Sequence, residues 1–298
     1  MPKNHYLAIL AASLLTLGGC NDKTGDDSNT AANGTLHLSI MDGPVENAEK
    51  VVVEFTGVVI KPADGNQIVI NFDEPKSIDL LQLQHGKTAD LLDGTSLRAG
   101  HYNWIRLMVN AENNQDDTYI TVAGVNHELE IPSSPQTGLK LVSGFTITAG
   151  GHHHFTIDFD LRKSIVHNTQ GYKLKPTLRL IDSVQTGTIS GEVDGTVLSD
   201  NNCGTSSDVA AAVYIYNGHN VIADDIYSPT EPLASANVVY MADSSSYRYK
   251  AVYVPTGDYT VALTCEAGKD AADKDDDIAF ISSKNTTVTF NSTQTVNF

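Results

Sequence analysis

A chain of 298 residues with 36 Asp and Glu against 19 Lys and Arg carries a net charge of −17. Such a surface repels nucleic-acid phosphates and anionic headgroups, which argues against a nucleic-acid partner. Its 41% hydrophobic content is ordinary for a globular protein, and the length suggests two domains, each with its own core.

The chain opens with Lys3 and an apolar run from Leu7 to Leu17, too short to span a bilayer as a helix. Gly18 and Gly19 follow, then Cys20. Residues 1–19 resemble a bacterial lipoprotein signal peptide, with Leu17-Gly18-Gly19-Cys20 as its lipobox. The resemblance implies a lipid anchor on Cys20, and two or more acyl chains (palmitate is typical) hold a protein stably at a membrane. In lipoprotein sorting, Asp after the cysteine marks inner-membrane retention. Here Asn21 follows, which points to the outer membrane. Cleavage before Cys20 removes Lys3 and no acid, so the mature chain is one charge more negative. Residues 20–33 contain no large apolar side chain after Cys20 and read as a flexible tether.

From Thr35 the texture changes. Leu36, Leu38 and Ile40 alternate with His37 and Ser39, a half-buried strand ended by the turn Asp42-Gly43-Pro44. Val51 to Ile60 is a β-branched run in which Gly57 marks a bulge. Ile68 to Phe72 follows as a strand, and Ser77 to His85 reads as either a strand or one to two helical turns. Further strands are expected from Tyr102 to Val109, ending at Leu129–Pro132, over Leu139–Ile147 and over Phe155–Leu161. The last, through Leu174, Pro176, Leu178 and Leu180, needs an edge or a bulge because Pro176 has no amide donor. Many short strands without a long amphipathic helix predict an all-β fold, with two β-sandwich domains in tandem.

Residues 34–183 resemble the bacterial lipoprotein domain of unknown function 4382 (DUF4382). The resemblance rests on LSIMDGPVENAEKVVVEFTGVVI, SIDLLQLQHG, LRAGHYNWIRLMV, IPSSPQTGLKLVSGFTI, FTIDFDLRKSI and YKLKPTLRLI. It implies an extracytoplasmic setting and no transferable activity.

A second unit, residues 187–298, opens at Thr188–Val193. Further strands are expected over Ala212–Tyr216, Ala236–Met241, Tyr249–Val254, Tyr259–Thr264 and Thr287–Phe290. Within it, Pro255-Thr256-Gly257-Asp258-Tyr259-Thr260-Val261 resembles the P-x-G-x-Y-x-V signature of carboxypeptidase-regulatory-like, transthyretin-type sandwiches, which implies a non-catalytic accessory. Pro and Gly set a turn there, and Tyr259 packs at a sandwich corner with its hydroxyl free to reach backbone. Gly100-His101-Tyr102 repeats the pattern and predicts a similar corner in the first unit.

With Cys20 assigned to lipid, Cys203 and Cys265 remain, and in an oxidising compartment they are expected to form a disulfide. Two surfaces are candidate ion sites. In the loop 268–277, Asp270, Asp273, Asp275, Asp276 and Asp277 present carboxylates that suit Ca²⁺. It is not an EF-hand, because Ile278 and Lys284 stand where Gly and Glu are needed, and the run also reads as a solvated charged loop. On the strand after Gly150-Gly151, period two puts Phe155, Ile157 and Phe159 inward. His152, His154, Asp158 and Asp160 then share the outer face and could hold a transition metal, or could equally be a polar solvent face.

No G-x-S-x-G elbow, P-loop, zincin motif or C-x-x-C-H occurs, so no enzyme is expected. The sequence therefore predicts a lipid-anchored, non-catalytic protein of the bacterial cell envelope that binds a protein or glycan partner. A calcium-dependent ligand binder and a glycan-processing enzyme are the alternatives.

Overall fold

Regular alternation of apolar and polar side chains becomes regular alternation of burial: along β1 (Asn33–Asp42), Leu36, Leu38 and Ile40 are fully buried while His37 and Ser39 are half-exposed. The protein is described by a computed structural model covering residues 32–42, 48–110, 117–132, 138–205 and 210–298. The leader, Cys20 and the tether up to residue 31 lie outside the described residues. Among the described residues no helix is long and apolar enough to cross a membrane.

The N-terminal half continues with β2 (Lys50–Pro62), β3 (Ile68–Asp79), β4 (Ala89–Arg98), β5 (Gly100–Asn110), β6 (Tyr119–Val122) and β7 (Val125–Glu130). Then come β8 (Leu139–Leu141), β9 (Phe145–Ile147), β10 (His152–Phe159), β11 (Ile165–Asn168), β12 (Gly171–Leu174) and β13 (Leu178–Asp182). The C-terminal half holds β14 (Thr186–Val193), β15 (Ala212–Asn217), β16 (Ala234–Asn237) and β17 (Val239–Met241). It ends with β18 (Ser246–Pro255), β19 (Gly257–Thr264), β20 (Phe280–Val288) and β21 (Thr293–Thr295). Among the described residues, two short α-helices, α1 (Leu161–Ser164) and α2 (Gly195–Asp200), and a few 3₁₀ turns interrupt an otherwise all-β fold.

In the N-terminal half one sheet runs β13-β10-β1-β4, with β1 and β10 parallel. The larger sheet runs β11-β12-β7-β6-β2-β5-β8, with β3 also on β2 and β9 also on β5. Their facing side chains form one core that includes Leu36 and Ile40, Phe155 and Phe159, and Phe55 and Leu107. Burying a side chain of this size is worth roughly 1.5–3 kcal/mol over leaving it in water. The C-terminal half has sheets β17-β18-β14-β21 and β16-β15-β19-β20, around a core that includes Ile189, Val213, Val261 and Leu263. No strand of one half pairs with a strand of the other among the described residues, yet 32–298 form one compact unit.

Several expectations hold in detail. The register of β2 slips at Phe55/Gly57 against both β3 and β5, the bulge expected at Gly57. A Cβ there would lie 2.5 Å from the Ile70 carbonyl, so only glycine lets the strands approach. The ambiguous segment resolves into the end of β3 and a 3₁₀ turn over Leu80–Gly86, capped by Asp79 Oδ1, which accepts from Leu81 N–H at 3.3 Å. Both tyrosine corners form: Tyr102 donates to the Arg98 carbonyl at 2.7 Å, and Tyr259 to the Pro255 carbonyl at 2.8 Å.

Other strands divide. Leu139–Ile147 is two strands, β8 and β9, both on β5, with Val142 exposed between them. The run through Pro176 is also two strands, β12 and β13, in different sheets. Pro176 lies at the crossing, where Ser164 takes the flanking amides: Lys175 N–H on its carbonyl and Thr177 N–H on its hydroxyl, both at 2.8 Å. Likewise Ala236–Met241 splits into β16 and β17 in opposite sheets, with Val238 buried at the switch. The last long strand, β20, starts earlier than the sequence suggested and ends at Val288, leaving Phe290 exposed.

Candidate functional site

The second candidate surface departs most from its sequence reading. Phe155, Ile157 and Phe159 do face the core, but Thr156, Asp158 and Asp160 are buried as well. The supposed solvent face is covered. Ala234–Asn237 and Lys250–Val252 of the C-terminal half line the same small cavity as Asp158, Asp160 and Arg179. Asp158 pairs with Arg179 through Nε at 2.9 Å and also through Nη2. Asp160 caps α1, accepting from Lys163 N–H at 3.2 Å.

The histidines stay apart from these carboxylates. His152 Nδ1 bonds Thr35 Oγ1 at 2.7 Å, and His154 stacks on His37 with centroids 4.4 Å apart. Four residues along a strand are roughly 13 Å, beyond one metal's reach, so His154 and Asp158 share a face without sharing a centre. Asp42, expected in a turn with Gly43 and Pro44 (which lie outside the described residues), is instead the last residue of β1 and joins Asp158 and Asp160. It is buried, with no well-formed hydrogen bond to either carboxylate oxygen, and the nearby Leu161 N–H offsets only part of that burial. Burial, then the neighbouring Asp158 and Asp160, holds the Asp42 carboxyl well above the usual range, and burial raises Asp160 too.

The acidic loop is brought together in part. Asp270 and Asp276 converge with Asp225, each offering an oxygen within 4.8 Å of the others. Asp273, Asp275 and Asp277 are exposed and stand outside this group. Asp225 comes from the irregular segment between β15 and β16, Asp270 and Asp276 from that between β19 and β20. Together these segments cover the outer face of β15 and β19, where Tyr214, Tyr216 and Ile226 form a second small core. Asp270 Oδ2 accepts from Tyr214 Oη at 2.6 Å and its Oδ1 from Ile226 N–H at 3.2 Å. Asp276 Oδ2 accepts from Ala271 N–H at 2.9 Å, while its Oδ1 meets Lys274 Nζ. Burial raises the Asp270 carboxyl; the Lys274 ammonium lowers that of Asp276. Asp225 was missed because only Asp224-Asp225 within the apolar run 221–227 hinted at it, and nothing local pairs it with residues some 45 positions on.

A third feature is an open groove of about 660 Å³ on the sheet β17-β18-β14-β21. Glu192, Val239, Met241, Arg248, Lys250 and Asn297 are among its walls, with Arg248 Nη2 on Glu192 Oε1 at 2.8 Å across it. Cys203 and Cys265 are disulfide-bonded, with Cα atoms 5.0 Å apart.

The segments on which the DUF4382 resemblance rests run from Leu38 in β1 to Ile181 in β13. Residues 33–176 match the family described as Domain of unknown function (DUF4382). The DUF4382 match stops before β13, although β13 completes the β10-β1-β4 sheet. No curated protein matches the chain. Among solved structures, a leucine-rich repeat protein from Bacteroides thetaiotaomicron overlaps 89% of this chain at 15% identity and a TM-score of 0.23. The chain spans only 26% of that protein. The minor pilin of Streptococcus agalactiae overlaps 88% of this chain and 94% of its own, at 10% identity and a TM-score of 0.20. The fimbrial anchor protein of Porphyromonas gingivalis overlaps 84% and 82%, at 12% identity and a TM-score of 0.19. Overlaps at these scores do not amount to a common arrangement of sheets.

Proposed function

We propose that this is a lipid-anchored, non-catalytic protein of the bacterial cell envelope, held at the outer membrane through Cys20. Its two sandwich domains, 34–183 and 187–298, present a binding surface for a protein or glycan partner. The second domain is of the carboxypeptidase-regulatory-like, transthyretin type, a reading that the corner at Tyr259 supports. The observation that carries the binding role is the groove on β17-β18-β14-β21. It is open, its walls include the thioether of Met241, and an ion pair crosses it. That combination of apolar floor and oriented polar groups suits contact with an extended chain. The lipobox and tether support the address.

The test is crosslinking on intact cells followed by affinity recovery, with wild type beside Met241→Asp and Arg248→Ala. Wild type should recover a partner that the groove variants lose. Unchanged recovery by the variants would refute the groove as the surface, and hydrolysis of envelope glycans by the purified protein would refute the non-catalytic reading. Replacing Cys20 with Ser should release the protein from membranes; continued membrane retention would count against the anchor.

A further inference from the structure

Three carboxylates from two separate segments meet where the irregular chain covers the outer face of β15 and β19. Like charges brought this close repel one another, and this group includes a wholly buried member, Asp225, at 0% exposure. Asp225 Oδ2 accepts from Asp276 N–H, but its Oδ1 has no hydrogen-bond partner. A buried carboxylate oxygen without a partner is costly, and native structures rarely leave one so. The exposed Lys274 reaches only Asp276 Oδ1.

We propose that Asp225, Asp270 and Asp276 form a Ca²⁺ site that fastens the segment between β15 and β16 to the segment between β19 and β20.

The geometry and donor chemistry agree. Oxygens on opposite sides of a Ca²⁺ ion, each about 2.4 Å from it, are about 4.8 Å apart. The three carboxylates fall within 4.8 Å of one another, close enough to share one ion. All the ligands are carboxylate oxygens with no imidazole or thiolate, which selects a hard cation over zinc. Each segment already orients the other's ligands: Ile226 N–H points to Asp270, and Asp276 N–H to Asp225. The site is thus pre-shaped, and a dication would add positive charge at its centre, where the nearest cations are Lys274, on the outer side of Asp276, and Arg162, one hydrogen bond away beyond Tyr214. Backbone carbonyls and water would complete the coordination, while Lys274, 70% exposed, is free to swing off Asp276.

Tyr214 provides a direct reporter, since its hydroxyl lies 2.6 Å from Asp270 Oδ2. Tb³⁺ in the site should luminesce on tyrosine excitation, and Ca²⁺ should displace it. In the intact protein after chelation, Ca²⁺ up to about 10 mM should raise the melting temperature, as expected for a weak extracytoplasmic site. Asp225→Asn should abolish both signals while melting no lower than wild type in EDTA. Asp276→Asn, at a half-buried position, should also abolish them, and it serves if Asp225→Asn does not fold. Asp273→Asn, outside the cluster, should keep both. Absence of a Ca²⁺ shift in wild type, or equal Tb³⁺ luminescence in Asp276→Asn, would overturn the site.

Discussion

Arg162 Nη2 donates to Asn237 Oδ1 at 2.7 Å, so a turn of the N-terminal half is anchored inside the C-terminal half. Its Nη1 reaches Tyr214 Oη at 3.1 Å, and the next residue, Lys163, pairs with Glu231 at 2.9 Å and bonds the Pro232 carbonyl at 2.7 Å. Arg162 is 3% exposed, so its charge depends on these partners. The two halves are therefore joined by side-chain contacts, this buried guanidinium among them, rather than by a continuous sheet. Arg162→Ala should cost about 3 kcal/mol, the scale of lost hydrogen bonds to a charged group. It should also separate the unfolding of the halves, which calorimetry would show as two transitions in place of one.

The two tyrosine corners are independent of each other. Tyr102→Phe and Tyr259→Phe each remove one hydroxyl from a carbonyl four residues back, and each should cost about 1 kcal/mol. Because the two lie in different cores, the double variant should lose the sum. Urea denaturation of the three variants measures this.

Asp42 gives a pH signature. Its folded-state pKa lies above the unfolded value because of burial and then Asp158 and Asp160, with Asp79 adding to the repulsion. Between those two pKa values the folded chain holds more protons, so its stability falls as pH rises from about 4. Asp42→Asn keeps the shape and removes the charge. It should raise the melting temperature at pH 7 by a few degrees, a shift of about 2–4 °C for each kcal/mol in a domain of this size, and the gain should fade towards pH 4. Melting curves for both proteins across that range would show a constant difference if Asp42 does not titrate in this way.

Reduction of the Cys203–Cys265 bond should destabilise the C-terminal half. The bond closes a loop with a separation of 62 residues, worth about 4 kcal/mol by chain entropy. A Cys203→Ala, Cys265→Ala double variant should unfold at lower denaturant and be insensitive to dithiothreitol. Wild type in dithiothreitol should approach it.

Local pattern was enough for much of the architecture. The alternation through Leu36, Leu38 and Ile40, the bulge at Gly57, the corners at Tyr102 and Tyr259, and an even pair of cysteines beyond Cys20 each depend on residues close in sequence or on simple counting. Sheet exchange was not legible at Pro176 or Val238: an apolar alternation looks the same whether its two ends pair in one sheet or in two. Burial of Asp158 and Asp160 was equally hidden, because period two separates the faces of a strand without saying what covers each. The acidic run promised an ion site, but its own neighbours Asp273, Asp275 and Asp277 point to water. The residue that completes the cluster, Asp225, arrives from another segment. Sequence by itself determined which residues become strands and corners, since backbone geometry and side-chain alternation act over a few residues. Only the tertiary structure decided which carboxylates are buried together, since that depends on which distant segments pack face to face.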